Sequence, residues 1–159
     1  MHYGTIKYND IANGEGIRTS LFVSGCRVNC KGCFNRETWD FNYGQELTET
    51  IVSKLIDSLK SPYISGLTVL GGEPMEPENQ EALLPIFRRI NEHFATKTIW
   101  LYTGYLLDQD LLAGGKKHTI YTDELLSLVD VVVDGPFISE LSQVGLQFRG
   151  SSNQRIIRK

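Results

Sequence analysis

Four runs of strand-forming residues in this chain each stop at a polar turn, and helix-like stretches separate them. Ile17 to Val23 leads into Ser24-Gly25-Cys26, and Gly66 to Leu70 ends in Gly71-Gly72-Glu73-Pro74. Thr98 to Thr103 is followed by Gly104-Tyr105, and Val129 to Val133 by Asp134-Gly135-Pro136-Phe137. Strands that alternate with helices pair in parallel through crossovers, so the pattern predicts an α/β fold on a mostly parallel sheet. Sites in such folds gather at the C-terminal strand ends, where every one of these turns falls. With four or five such strands the sheet would be a partial, incomplete TIM-like β/α barrel. At 159 residues the expectation is one domain over 1–159.

Between the strands, Ile51, Val52, Leu55, Ile56 and Leu59 recur at helical spacing with Thr48 as N-cap. Leu83, Phe87, Ile90 and Phe94 share one face of a second helix, which is expected to begin late, with Pro85 in its first turn. Leu106 to Leu112 suggests a short helix and Asp123 to Leu128 another. Gly114 to His118 reads as a loop that carries Lys116 and Lys117 into solvent. The tail from Leu146 to Lys159 suggests two short strands around Gly150-Ser151-Ser152-Asn153.

All three cysteines, Cys26, Cys30 and Cys33, lie in the loop after the first of these strands. Their number is odd and their spacing too tight for a disulfide framework. Three thiolates from one loop suit a 4Fe-4S cubane in which one iron lacks a protein ligand and can bind a small molecule, since pure electron carriers normally use four thiolates. The alternatives are a zinc site completed by His2, His93 or His118, although none is close in sequence, and ordinary buried or redox thiols. The net charge of −3 gives no general attraction to nucleic acid or to an anionic membrane. No apolar run approaches the ~20 residues that span a bilayer, and Met1 to Lys7 lacks signal-peptide features. A cytoplasmic protein is expected, a compartment in which clustered cysteines mean metal or redox chemistry.

Gly71-Gly72-Glu73-Pro74 would alone be a turn. At a ligand site the glycines admit main-chain contacts and Glu73 accepts hydrogen bonds from an ammonium group.

Together these two motifs resemble the radical S-adenosylmethionine superfamily, whose fold is the partial β/α barrel. The resemblance implies that Cys26, Cys30 and Cys33 ligate a 4Fe-4S cluster and are catalytic through it. It implies that Gly71, Gly72 and Glu73 bind the amino group of S-adenosylmethionine. The superfamily often has an aromatic residue just before the third cysteine; here Gly32 stands there and Phe34 follows, so Gly32, Cys33 and Phe34 are candidates for the adenine side. Thr103 is a candidate for the ribose, or for the turn itself, and Asp134 for the cofactor or for orienting a loop.

Asn13-Gly14-Glu15-Gly16-Ile17-Arg18, Phe22 and Asn35 resemble the signature of glycyl-radical-enzyme activases. The absence of further cysteines excludes members with auxiliary clusters. Trp39, Trp100 to Tyr105, Asp134 to Phe137 and Phe148 to Arg155 are similar to the branch that activates anaerobic (class III) ribonucleoside-triphosphate reductases. That branch implies the reductase's glycyl radical subunit as partner and a reduced flavodoxin or similar protein as electron donor. Rival readings are an activase of another glycyl radical enzyme, or a small enzyme of the same chemistry acting on a small molecule, such as a deazapurine synthase. A zinc-stabilised binding module or plain electron carrier would be the non-enzymatic alternative. Trp39 and Trp100 are expected as core or interface aromatics, and Arg149, Asn153 and Arg155 either hold the last turn or face a partner.

Overall fold

In the computed structural model, which describes residues 1–159, seven strands form one mixed, open sheet. They are β1 (His2–Asp10), β2 (Ile17–Val23), β3 (Gln45–Glu46), β4 (Ile64–Gly71), β5 (Thr98–Thr103), β6 (Val131–Asp134) and β7 (Arg155–Arg158), in the order β3-β1-β2-β4-β5-β6-β7. β2, β4, β5 and β6 pair in parallel. β1 adds to β2, β3 to β1 and β7 to β6, all antiparallel. The crossovers use α1 (Glu49–Ser58), α2 (Pro77–His93) and α3 (Thr122–Ser127). No helix is long and apolar enough to cross a membrane.

Alternation along the central strands separates two cores. Leu21, Val23, Leu67, Val69, Ile99, Leu101 and Val132 join the buried residues of the three helices in a 24-residue cluster. Complete burial of each such side chain contributes about 1.5–3 kcal/mol. Their neighbours Trp100, Val131 and Val133 turn to the opposite face, where Tyr102, Phe148 and Ile156 pack on them. No helix covers that face. At the N-terminal end of its strands Arg18, 1% exposed, places its guanidinium among neutral acceptors: Thr68 Oγ1, the Glu15, Leu67 and Thr98 carbonyls and Thr98 Oγ1, at 2.7–3.1 Å. Thr68 in turn donates to the Asn13 carbonyl at 2.7 Å, which folds the β1–β2 loop over the sheet.

Three elements depart from the sequence reading. α2 begins at Pro77, not near Pro85: Pro77 supplies the pre-set φ of a first helical residue, and Pro85 lies inside the helix on its exposed side, where solvent meets the carbonyl it frees. Leu106 to Leu112 is a loop, because the Asp110 carboxylate captures the Leu106 N–H at 2.8 Å and the Asp110 carbonyl accepts from Lys117. Only the second half of the tail forms a strand, β7; Phe148 adopts φ +55°, which breaks an extended run there. β1 and the two-residue β3 add antiparallel strands beyond the parallel set that the sequence suggested.

Candidate active site

The loop after β2 is held from both sides by main-chain bonds. Gly25 N donates to Thr38 O at 2.7 Å and Cys26 N to Trp39 O at 3.2 Å. The turn after β4 docks on the same loop: Gly72 N donates to Val23 O at 2.7 Å and Glu73 N to Gly25 O at 2.8 Å. Gly72 permits that approach, since a Cβ there would lie 2.8–3.0 Å from the carbonyl oxygens of Gly25, Thr38 and Val23. Gly25 needs φ +99° and presses against the Phe41 ring, so it too excludes a side chain.

Cys26, Cys30 and Cys33 are free, half-buried thiols lining one cleft of about 390 Å³. The Asn35 N–H reaches Cys33 Sγ at 3.4 Å and Cys33 N donates to Cys30 O at 3.2 Å. Burial pushes the Cys26 thiol up to about 11, with the Glu73 charge adding, and burial raises Cys30 as well. Cys26 and Cys30 are therefore protonated at neutral pH, and soft-metal binding by them must expel protons. None of the three histidines lines this cleft. His93 Nδ1 lies 2.8 Å from Arg89 O and His118 Nε2 2.9 Å from Asp123 Oδ1. Three thiols around a cavity that no histidine lines fit a cluster better than a Cys3His zinc site.

Phe34, Gly71, Gly72, Glu73 and Thr103 line the same cleft as the cysteines, whereas Gly32 and Asp134 do not. Glu73 is 1% exposed. Its Oε1 accepts from Thr103 Oγ1 at 2.7 Å and Met75 N at 2.8 Å, and its Oε2 from Gly104 N at 2.6 Å. Burial raises this carboxyl to about 7 against those three bonds. Oε2, with one partner inside the protein, keeps acceptor capacity for a cation. The Thr103 hydroxyl also accepts from Tyr105 N at 3.1 Å, so its bonds orient Glu73 and the turn. Phe34 is exposed at the rim, its ring 5.4 Å from that of Phe137.

Asp134 is fully buried and bound by Arg155, whose Nε and terminal nitrogen lie 2.8 and 2.5 Å from its two oxygens. It also accepts from Leu107 N at 2.8 Å, which fixes the loop after β5. Arg155, itself exposed, thus braces this turn from the surface and pairs with Asp108 as well. The cleft is also lined by Asn13, Tyr102, Arg149 and Gln154, from stretches that carried the family resemblance but were given no cofactor role. Tyr102 OH, Arg149 Nε and Trp39 Nε1 are buried there without partners. Strand alternation from Trp100 would have placed Tyr102 on this face. Lys117, expected in solvent, instead turns inward to Glu76 at 2.9 Å, while Lys116 stays exposed beside Asp110.

Residues 12–157 match a family described as a 4Fe-4S single cluster domain. The anaerobic ribonucleoside-triphosphate reductase-activating protein of Vibrio cholerae is 41% identical over 99% of this chain and 98% of its own length. The protein of the same description from Haemophilus influenzae is 40% identical over 99% and 98%. That from Enterobacteria phage T4 is 40% identical over 98% of this chain and 93% of its own. This chain belongs to that family of activating proteins. Membership in an iron–sulfur activating family agrees with the cysteine loop, since Cys26, Cys30 and Cys33 all fall within the matched stretch.

Proposed function

We propose that this activating-family chain is a radical S-adenosylmethionine enzyme that generates a glycyl radical on an anaerobic ribonucleoside-triphosphate reductase. It acts as one domain over residues 1–159, its parallel strands forming part of a β/α barrel. The observation that carries the reading is the single cleft on which three free thiols and the buried Glu73 carboxylate meet. Cys26, Cys30 and Cys33 would hold three irons of a 4Fe-4S cluster and leave the fourth open. Gly71 and Gly72 would bring main chain against S-adenosylmethionine, and Glu73 Oε2 would accept from its ammonium group. Thr103 orients Glu73. Phe34 would frame the adenine end, Gly32 would act from outside the cleft by turning the chain into Cys33, and Asp134, locked by Arg155, would shape the wall behind.

A cluster held by Cys26, Cys30 and Cys33, with S-adenosylmethionine seated against Glu73, would supply the one-electron reductive chemistry that ends in a glycyl radical on the reductase. The chain's own residues position these groups and exclude water. Tyr102 OH, Arg149 Nε and Trp39 Nε1 offer hydrogen bonds to the main chain of an incoming segment. A reduced flavodoxin or similar cytoplasmic carrier delivers the electron.

Anaerobic reconstitution should give about four irons per chain. With reductant, S-adenosylmethionine and the reductase, a glycyl doublet should appear by electron paramagnetic resonance together with 5′-deoxyadenosine. Cys30→Ala should abolish both. A zinc-loaded protein without iron-dependent absorbance, or cleavage that persists in Cys30→Ala, refutes the reading. Cleavage without a doublet favours a small-molecule substrate or another glycyl radical enzyme.

A further inference from the structure

Behind the cysteine loop lies a second buried carboxylate, from Glu76 at the N-terminus of α2, that the site chemistry above does not use. It is fully buried, and four donors reach it. Arg27 N and Tyr105 OH meet Oε1 at 2.9 and 2.6 Å. The Arg27 guanidinium and Lys117 Nζ meet Oε2 at 2.7 and 2.9 Å. All the acceptor positions of a carboxylate are thereby filled by this protein, so Glu76 is not waiting for a ligand.

The donors come from three separate segments. Arg27 follows Cys26 directly, Tyr105 lies just beyond β5, and Lys117 belongs to the loop between β5 and α3. That loop is itself tied down, because Gln80 Nε2 donates to Lys117 O at 2.9 Å and Lys117 N to Asp110 O at 2.9 Å. Lys117 Nζ also sits 5.1 Å from the centre of the Tyr105 ring. The Arg27 guanidinium lies 4.3 Å from the centre of the Phe41 ring, which in turn packs against Gly25. The first cysteine is therefore bracketed by Gly25, pressed on Phe41, and by Arg27, bound through both its main chain and its side chain.

We propose that Glu76 is a positioning residue that holds the cysteine loop in its ligating arrangement and, with Arg27 and Lys117, sets the charge felt by the three thiolates. The proposal rests on the reading that those thiolates carry a 4Fe-4S cluster. Two buried or half-buried cations and one buried anion beside Cys26 act on a cluster's electron affinity in opposite senses. Loss of the anion makes reduction easier and loss of a cation makes it harder. A contact that merely stabilised the fold would not yield opposite signs.

The test compares the unmodified protein with Glu76→Gln and Lys117→Met. Midpoint potentials are read by redox titration of the anaerobically reconstituted proteins, and amide exchange is read over residues 26–30 in the cofactor-free proteins. The midpoint potential should rise in Glu76→Gln and fall in Lys117→Met, and exchange over 26–30 should accelerate about tenfold or more in Glu76→Gln. Arg27→Met, at a half-exposed side chain, should also lower the potential and replaces Lys117→Met if that variant does not fold. Potentials that move in the same direction, or unchanged exchange over 26–30, overturn the proposal. If the unmodified protein takes up no iron, the functional reading has failed and the exchange comparison still decides the positioning role.

Discussion

Replacing Glu73 by Gln gives a stability change that depends on pH in a calculable way. Inside the fold the carboxyl titrates near 7, mainly through burial, against 4.5 when unperturbed. Ionising it in the fold rather than in the unfolded chain therefore costs about 3 kcal/mol. Between these two values the folded protein retains a proton that the unfolded chain has lost, so stability falls as pH rises through that window. A Gln side chain has no such proton. Its oxygen can keep the bonds from Thr103 Oγ1 and Met75 N, while its amide loses the one from Gly104 N, at about 1 kcal/mol. That loss is the same at every pH and cancels from the comparison. The stability of Glu73→Gln relative to the unmodified protein should rise by about 3 kcal/mol between pH 4.5 and about pH 8. Anaerobic urea unfolding of the cofactor-free proteins across this range measures it directly. A constant difference would mean that Glu73 ionises in the fold as easily as in water, and the reasoning from burial would be refuted. The same variant should bind S-adenosylmethionine more weakly, because it carries no charge for the ammonium group.

Three more outcomes follow from the geometry. Gly72→Ala forces a Cβ among three carbonyl oxygens and parts the turn after β4 from the cysteine loop; loss of the two bonds between them should cost about 2 kcal/mol in urea unfolding and reduce iron retention. Arg155→Met leaves Asp134 buried with Leu107 N as its remaining partner, and should lower the urea midpoint at unchanged slope. Iron uptake by the reduced, cofactor-free protein should accelerate as pH is raised from about 6.5 to 8.5, since burial holds Cys26 and Cys30 protonated and ligation requires their thiolates. An uptake rate independent of pH, followed by visible absorbance, would contradict that account.

The central strands were legible because β4, β5 and β6 are covered on both faces or nearly so, which demands short continuous apolar runs. The turns after them were legible because glycine and cysteine carry constraints that act within a few residues. β1 was not, since much of it is exposed and its composition is polar. The start of α2 was hidden by having two prolines, each suited to a first turn; only packing of Asn79, Gln80, Leu83 and Leu84 shows that the helix already runs before Pro85. Ion pairs were the least visible. Arg155 meets Asp134 across 21 residues and Lys117 meets Glu76 across 41, and nothing in either local sequence names its partner. In the same way Lys117 reads as a loop cation until the fold brings a buried carboxylate beneath it.

Arg18, Thr68 and Asn13 form a chain of bonds across the helix-free face of the sheet at the end remote from the cysteines. Every N–H of the Arg18 guanidinium is occupied, and Gly14 and Trp100 close around it. Asn13, which also lines the cleft, is tied through this chain to the sheet. For the proposed reaction the consequence is a preset wall: the β1–β2 loop beside the cleft is bound to β2 through the Glu15 carbonyl and to β4 through the Asn13 carbonyl, so a docking partner would meet a rigid border.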